Sequence, residues 1–163
     1  MNKTYKVILM FTFFIIISSS ILQALENKEG DSVNWTQIYA EAALKAKEQN
    51  KVLFVYFSGS DWCYWCKKLH TEVLTQKAFT DFAGENFVLL LCDFPKKTEL
   101  PPHIKKQNKA LAKKYNVKGV PTIILLDSTE KMLGRTGYRE GGAETYIEHL
   151  KGFLKKEFSP LSF

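Results

Sequence analysis

The sequence predicts an α/β fold: a central mixed sheet of four strands flanked by helices, with an extra helix at the N-terminal side. Three observations carry that expectation. Two nearly continuous apolar runs, KVLFVYFS (51–58) and FVLLLCD (87–93), read as strands covered on both faces. Segments with apolar residues at helical spacing lie before and after the second run, long enough to serve as crossovers beside a sheet. Finally, two short β-rich runs, 122–127 and 131–137, flank a three-residue turn and read as a terminal antiparallel hairpin.

Element by element, residues 1–24 read as a signal peptide or an uncleaved anchor. Lys3 and Lys6 precede the apolar run VILMFTFFIII, and small residues lead to Ala24 before a cleavage point. Residues 25–33 read as a flexible mature N-terminus, 34–158 as one domain and 159–163 as a tail. Within the domain, Asn34 is a candidate N-cap for an amphipathic helix over 34–50, with Trp35, Ile38 and Ala42 on one side. The strand 51–58 follows. Leu69, Val73 and Leu74, then Phe79 and Phe82, place a helix from about Cys63 to near Gly84, broken around Thr75.

After the strand 87–93, the prolines of FPKKTELPPHIKKQ predict a loop, and residues 108–117 a short helix. The strand 87–93 is expected to run parallel to 51–58, which would put that loop beside Cys63 and make Lys96, Lys97, Lys105 and Lys106 a basic lip that attracts acidic substrates. GVPTIILLD supplies a turn and the third strand; KMLGRTGY supplies the fourth, with Gly134 marking a bulge. The last helix carries Tyr146, Leu150 and Phe153 on one side. No repeat, linker or low-complexity segment interrupts the chain.

The formal charge is +6 over 163 residues and is dispersed. That favours solubility and argues against a nucleic-acid partner. No glycine fingerprint for a nucleotide or flavin is present, so no cofactor is expected.

Chemistry concentrates in SGSDWCYWCKKLH. A CxxC pair opening a helix has a specific use: the first sulfur sits where free N–H groups favour a thiolate, and the second lies one turn inward. Cys63 is thus the expected nucleophile and Cys66 the resolving thiol, with Lys67 and Lys68 adding positive charge. A purely structural disulfide and a zinc site with His70 share the same spacing. Zinc in a closed site needs four ligands, and His103 and His149 lie far along the chain. Three cysteines are too few for a disulfide framework. The third, Cys92, sits in an apolar run and reads as a small buried hydrophobe.

VLFVYFSGSDWCYWCKKLHTEV, followed by LAKKYNVKGVPTIILLDSTEKMLGRTGY, resembles the thioredoxin superfamily, and within it exported Dsb-type thioredoxin-like proteins such as the periplasmic DsbH-like oxidoreductases. The resemblance covers most of residues 35–154. It implies a thioredoxin-like fold with Pro121 as a cis-proline at the active disulfide, the Val120 backbone offered to a substrate strand, and Trp62 on the surface around Cys63. Tyr64 and Trp65 are expected to join that substrate surface. One departure stands out: the strand leading to CxxC has Val55, Tyr56 and Phe57 where the family usually buries an acid. Asp61 or a water path is the expected substitute.

The uncharged Tyr64–Trp65 dipeptide offers the Cys63 thiolate no cationic partner, which points to a reductase of protein disulfides rather than an oxidase or isomerase. The remaining alternative is a binding protein that only uses the fold. The expected chain is a monomer in the bacterial periplasm, fed electrons by a membrane thiol-disulfide relay.

Overall fold

The computed structural model describes residues 33–155. The expected signal peptide, most of the N-terminal segment and the C-terminal tail lie outside them. Among the described residues, no helix is long and apolar enough to cross a membrane.

The chain runs β1 (Trp35–Thr36), α1 (Tyr39–Glu48), β2 (Val52–Ser58), α2 (Tyr64–Leu69), a wide π-helical turn (His70–Leu74) and α3 (Lys77–Asn86). It continues through β3 (Phe87–Asp93), α4 (Pro102–Lys114), β4 (Thr122–Leu126), β5 (Met132–Thr136) and α5 (Gly142–Leu154). The sheet order is β1-β3-β2-β4-β5. β2 and β3 pair in parallel over their full length, from Val52 opposite Phe87 to Ser58 opposite Asp93. β4 runs antiparallel to β2, and β5 antiparallel to β4.

Period-two alternation divides the central strands between two apolar layers. Leu53, Val55 and Phe57 of β2 join Val88, Leu90 and Cys92 of β3 on the face covered by α1 and α4. Phe54 and Tyr56 point the other way, toward α2, α3 and α5. This two-sided cover explains why both strands are apolar almost throughout.

The sheet has five strands, not the expected four. Trp35 and Thr36 form a two-residue edge strand parallel to β3, opposite Leu89 and Leu90. Helix α1 therefore starts later than expected, with Ile38 rather than Asn34 at its N-cap. Trp35 has the spacing of that helix but does not belong to it. Its ring packs on the sheet, 6.0 Å from Phe54 and 5.8 Å from Tyr56.

The loop expected over residues 94–107 is also shorter. Helix α4 begins at Pro102, so Lys105 and Lys106 are helical. A proline at the first helical position loses no hydrogen bond and has its φ already set, which makes Pro102 a start signal. The predicted break near Thr75 is present where the π-helical turn ends. The bulge is present too: Leu125 pairs with Gly134 but Leu126 with Met132. The unpaired residue is Leu133, and a Cβ at the neighbouring Gly134 would collide with the Phe153 ring, so that position stays bare for α5 to close on the sheet.

Candidate active site

Strand β2 delivers the chain to a tight turn at the C-terminal edge of the sheet. The Gly59 carbonyl accepts the N–H groups of Trp62 at 3.2 Å and Cys63 at 2.8 Å. Gly59 is bare because the Trp62 indole lies on it; a Cβ there would come within 2.5 Å of Cε2. Cys63 has extended backbone angles and serves as the N-cap of α2, its Sγ accepting the Cys66 N–H at 3.1 Å. The two cysteines are joined as a disulfide, with Cα atoms 5.2 Å apart. Cys63 keeps 5% of its surface and Cys66 only 1%, so the first cysteine is the more accessible.

The segment before β4 closes over this pair. The Val120–Pro121 bond is cis, as the sequence resemblance implied. The Val120 carbonyl oxygen lies 3.6 Å from Cys63 Sγ. Pro121, Trp65, Tyr138, Arg139 and Glu140 line a shallow pocket beside the disulfide.

Aromatic side chains surround the pair, and all three predicted ones are exposed: Trp62 by 41%, Tyr64 by 68% and Trp65 by 48%. They are held rather than loose. Trp65 stacks on Tyr138 with ring centres 5.1 Å apart, and the Lys68 ammonium lies over both rings. Tyr138 donates to Glu72 at 2.7 Å. On the opposite side, Trp62 Nε1 donates to the Phe94 carbonyl at 2.8 Å, and Lys96 Nζ sits 4.3 Å from the Trp62 ring centre. Phe94 and Lys96 belong to the loop after β3, which lies beside the site as expected because β2 and β3 run parallel, whereas sequence reasoning missed Tyr138 and Glu72, which only the folded chain brings to the CxxC turn.

Asp61 does not take the role of a buried acid. Its carboxylate accepts the backbone N–H groups of Lys96 (3.0 Å) and Lys97 (2.6 Å), latching the loop after β3 to the active-site turn. The Lys96 amide is the main reason the Asp61 carboxyl is held below its ordinary value, with the Lys97 and Thr98 amides acting the same way. A lowered value means the latch is charged and closed at neutral pH and opens only as pH falls through it. Asp61→Ala is expected to speed amide hydrogen exchange at Lys96 and Lys97 selectively. Unchanged protection at both amides would show that the loop is held without the latch.

Two hydroxyls of β2 lie beneath Cys66. Tyr56 Oη donates to the Cys66 carbonyl at 3.3 Å and accepts from Ser58 Oγ at 3.2 Å. Burial first, and the Asp93 charge as well, push the Tyr56 phenol above its ordinary value, outweighing the Ser58 hydrogen bond; it is a neutral hydroxyl at neutral pH. Cys92 lies on the far face of the sheet, fully buried, and burial pushes its thiol up to about 12. It is an inert packing residue at physiological pH.

A CxxC disulfide at a helix start, facing a cis-proline across the edge of a five-stranded sheet, defines a thiol-disulfide exchange protein. The chain belongs to the thioredoxin-like family: residues 39–152 match the family described as a thioredoxin-like domain. It is 35% identical over 124 residues to the disulfide bond reductase DsbH of Chlamydia pneumoniae, covering 76% of this chain and 74% of that one. It is also 35% identical over 154 residues to the thioredoxin-related protein DsbJ of Chlamydia pneumoniae, across 90% of this chain but 44% of that longer protein. A solved structure of a DsbH oxidoreductase superimposes with a TM-score of 0.72 at 35% identity, over 76% of this chain and 85% of the other. The likeness thus extends from fold to sequence, and the chain is homologous to Dsb-type disulfide oxidoreductases.

Proposed function

We propose that this chain is an exported reductase of protein disulfides in the bacterial periplasm, with Cys63 as nucleophile and Cys66 as resolving thiol. In the reduced protein the Cys63 thiolate attacks one sulfur of a substrate disulfide. The new bond joins Cys63 to the substrate, and the other substrate sulfur leaves as a thiolate that takes a proton from solvent. Cys66 then attacks Cys63, the mixed disulfide breaks, and the second substrate sulfur leaves. The protein ends oxidised, holding the Cys63–Cys66 bond, and two electrons from a dithiol partner protein return it to the start. A membrane thiol-disulfide relay fits that demand. The cysteines are the whole redox equipment, and the chain works as a monomer.

The observation that carries the direction is the setting of Cys63 Sγ. One backbone N–H, from Cys66, points at it, while the Val120 carbonyl oxygen faces it from the other side. Strong oxidants stabilise the reduced thiolate heavily. Among the described residues a single donor is opposed by a carbonyl dipole, which leaves the thiolate comparatively unsettled and the dithiol a good electron donor. The named reductase among the relatives agrees. Val120, with Trp62, Tyr64 and Trp65 around it, forms the surface that meets the substrate chain, and Pro121 holds that backbone at the disulfide.

Equilibration with a glutathione series is expected to give a potential nearer about −270 mV, the thioredoxin end, than about −120 mV, the strongly oxidising end. The same protein should reduce insulin disulfides when dithiothreitol resupplies electrons. A potential at the oxidising end would make the chain a disulfide donor instead.

A further inference from the structure

Helix α4 is more basic than folding requires. Its sequence, PHIKKQNKALAKK, holds Lys105, Lys106, Lys109, Lys113 and Lys114 and no acid. Lys105, Lys109 and Lys113 succeed one another at four-residue spacing along one exposed face, while Ile104, Asn108 and Leu111 are buried on another. Like charges at that spacing repel, and lysines near a helix N-terminus oppose its dipole, so the pattern weakens the helix that carries it. Lys114 pairs with Glu130, whereas Lys105, Lys106, Lys109 and Lys113 form no ion pair among the described residues.

A groove of about 470 Å³ joins this helix to the rim of the active site. Lys105 and Lys109 line it from α4, and Phe94, Lys96 and Glu99 from the loop after β3. Two ties hold these parts together. Asn108 Nδ2 donates to the Asp93 carbonyl at 3.0 Å, fixing α4 to the end of β3, and the Asp61 carboxylate holds the Lys96 amide. Phe94 and Lys96 also contact Trp62, the chain neighbour of Cys63, so the groove continues the surface around the disulfide. Its acids do not cancel its lysines: Asp93 is 8% exposed and accepts both the Ser60 N–H and the Ser60 hydroxyl, which leaves Glu99. Lys97 and Lys106, expected in the same basic lip, do not line the groove.

We propose that this groove docks an acidic segment of the disulfide-bearing substrate chain, with Lys96, Lys105 and Lys109 selecting the proteins that reach Cys63 fastest. The inference rests on the reading of the chain as a reductase of protein disulfides and adds the class of substrate. A protein segment fits better than a bilayer, because the positive charge lines a groove and that groove runs on from the surface where Cys63 meets its substrate. Carboxylates entering it break no existing ion pair at Lys105 or Lys109. The lysines act on encounter and not on the exchange of sulfurs, so their effect must weaken as salt screens them.

The test compares two peptides that carry the same single disulfide, one flanked by glutamates and the other by glutamines. Reduced full-length protein is mixed with each under single-turnover conditions, and the peptide dithiol is measured after acid quenching. The parent is expected to reduce the glutamate peptide about tenfold faster at low salt, the lower end of what charge steering supplies. The gap should close at about 1 M salt, where the screening length is only about 3 Å. Lys105→Glu with Lys109→Glu should erase or invert the preference. Lys105→Gln with Lys109→Gln should reduce it, which keeps the test decisive if charge reversal disturbs the helix. Lys151→Glu with Lys155→Glu, at the end of α5 on the other face of the sheet, changes net charge as much as the first variant and should keep the preference.

Equal rates for the two peptides with the parent overturn the docking groove, as does an equal loss of preference in the α4 and α5 charge-reversal variants. Binding to phosphatidylglycerol vesicles that needs Lys105 and Lys109, beside equal peptide rates, would assign the patch to a membrane and overturns it too. If the parent reduces neither peptide nor the small uncharged hydroxyethyl disulfide, the reductase reading fails instead. The same peptides in dithiol form, offered to the oxidised protein, then carry the charge comparison.

Discussion

Cys66→Ala is expected to leave the protein covalently joined to its substrates, while Cys63→Ala leaves it with no reductase activity above buffer. The asymmetry follows from position. Cys63 keeps the residual exposure of the pair and lies under the Val120 carbonyl, among three exposed aromatics. Cys66 sits one turn inward, against Tyr56, where no protein-sized substrate reaches it. A chain lacking Cys66 can still form the mixed disulfide but has no thiol placed to break it. Cys92 cannot stand in, because it is buried on the opposite face of the sheet with its thiol held protonated. Non-reducing electrophoresis of the two variants after exposure to oxidised protein substrates reads the difference directly. Adducts on the Cys63→Ala chain in place of the Cys66→Ala chain would reverse the two roles.

Much of this site is legible in the amino-acid sequence, and the parts that are not share a cause. The cysteines and Pro121 announce themselves because their chemistry or backbone needs are local: a CxxC at a helix start, a proline opening a strand. The strands β2 and β3 are equally plain, since burial on both faces leaves a continuous apolar run. β1 is only two residues long and has no period to detect. Its Trp35 fits the helical spacing of the following segment as well as it fits the sheet. Pro101 and Pro102 suggest a loop, although a proline pair is as compatible with a helix start.

Asp61 is the most instructive case. Its place beside the motif suggests a proton-transfer role, but its partners, the Lys96 and Lys97 amides, lie 35 and 36 residues away and leave no trace near the motif. Tyr56 and Ser58 do leave a signal. They are the hydroxyl-bearing residues of an otherwise apolar strand, two apart, and so on one face. That face is the one α2 packs against. Buried polar atoms on the strand that leads to a reactive pair are the clue to what lies beneath it.

Phe54→Ala is expected to destabilise the domain by about 3–5 kcal/mol, the usual cost of deleting a large aromatic side chain from a packed core. Phe54 is fully buried at the middle of β2, and its ring meets Trp35 at 6.0 Å, Phe79 at 5.8 Å and Phe87 at 5.4 Å between centres. Those partners come from β1, α3 and β3, so no single shift of one element can close the cavity left behind. Because whole domains are stable by only about 5–15 kcal/mol, the loss is a large part of the total. The effect reaches the site through Trp35, which packs against both Phe54 and Tyr56 and so ties the short edge strand to the wall behind Cys66. Urea unfolding should show a lower midpoint with an unchanged slope, since the unfolded chain exposes nearly the same surface. Leu44→Ala on the exposed side of α1, where 58% of the residue already faces water, serves as the contrast and should change stability by no more than about 0.5 kcal/mol. Equal losses in the two variants would mean that the aromatic cluster is not what holds β2 in place.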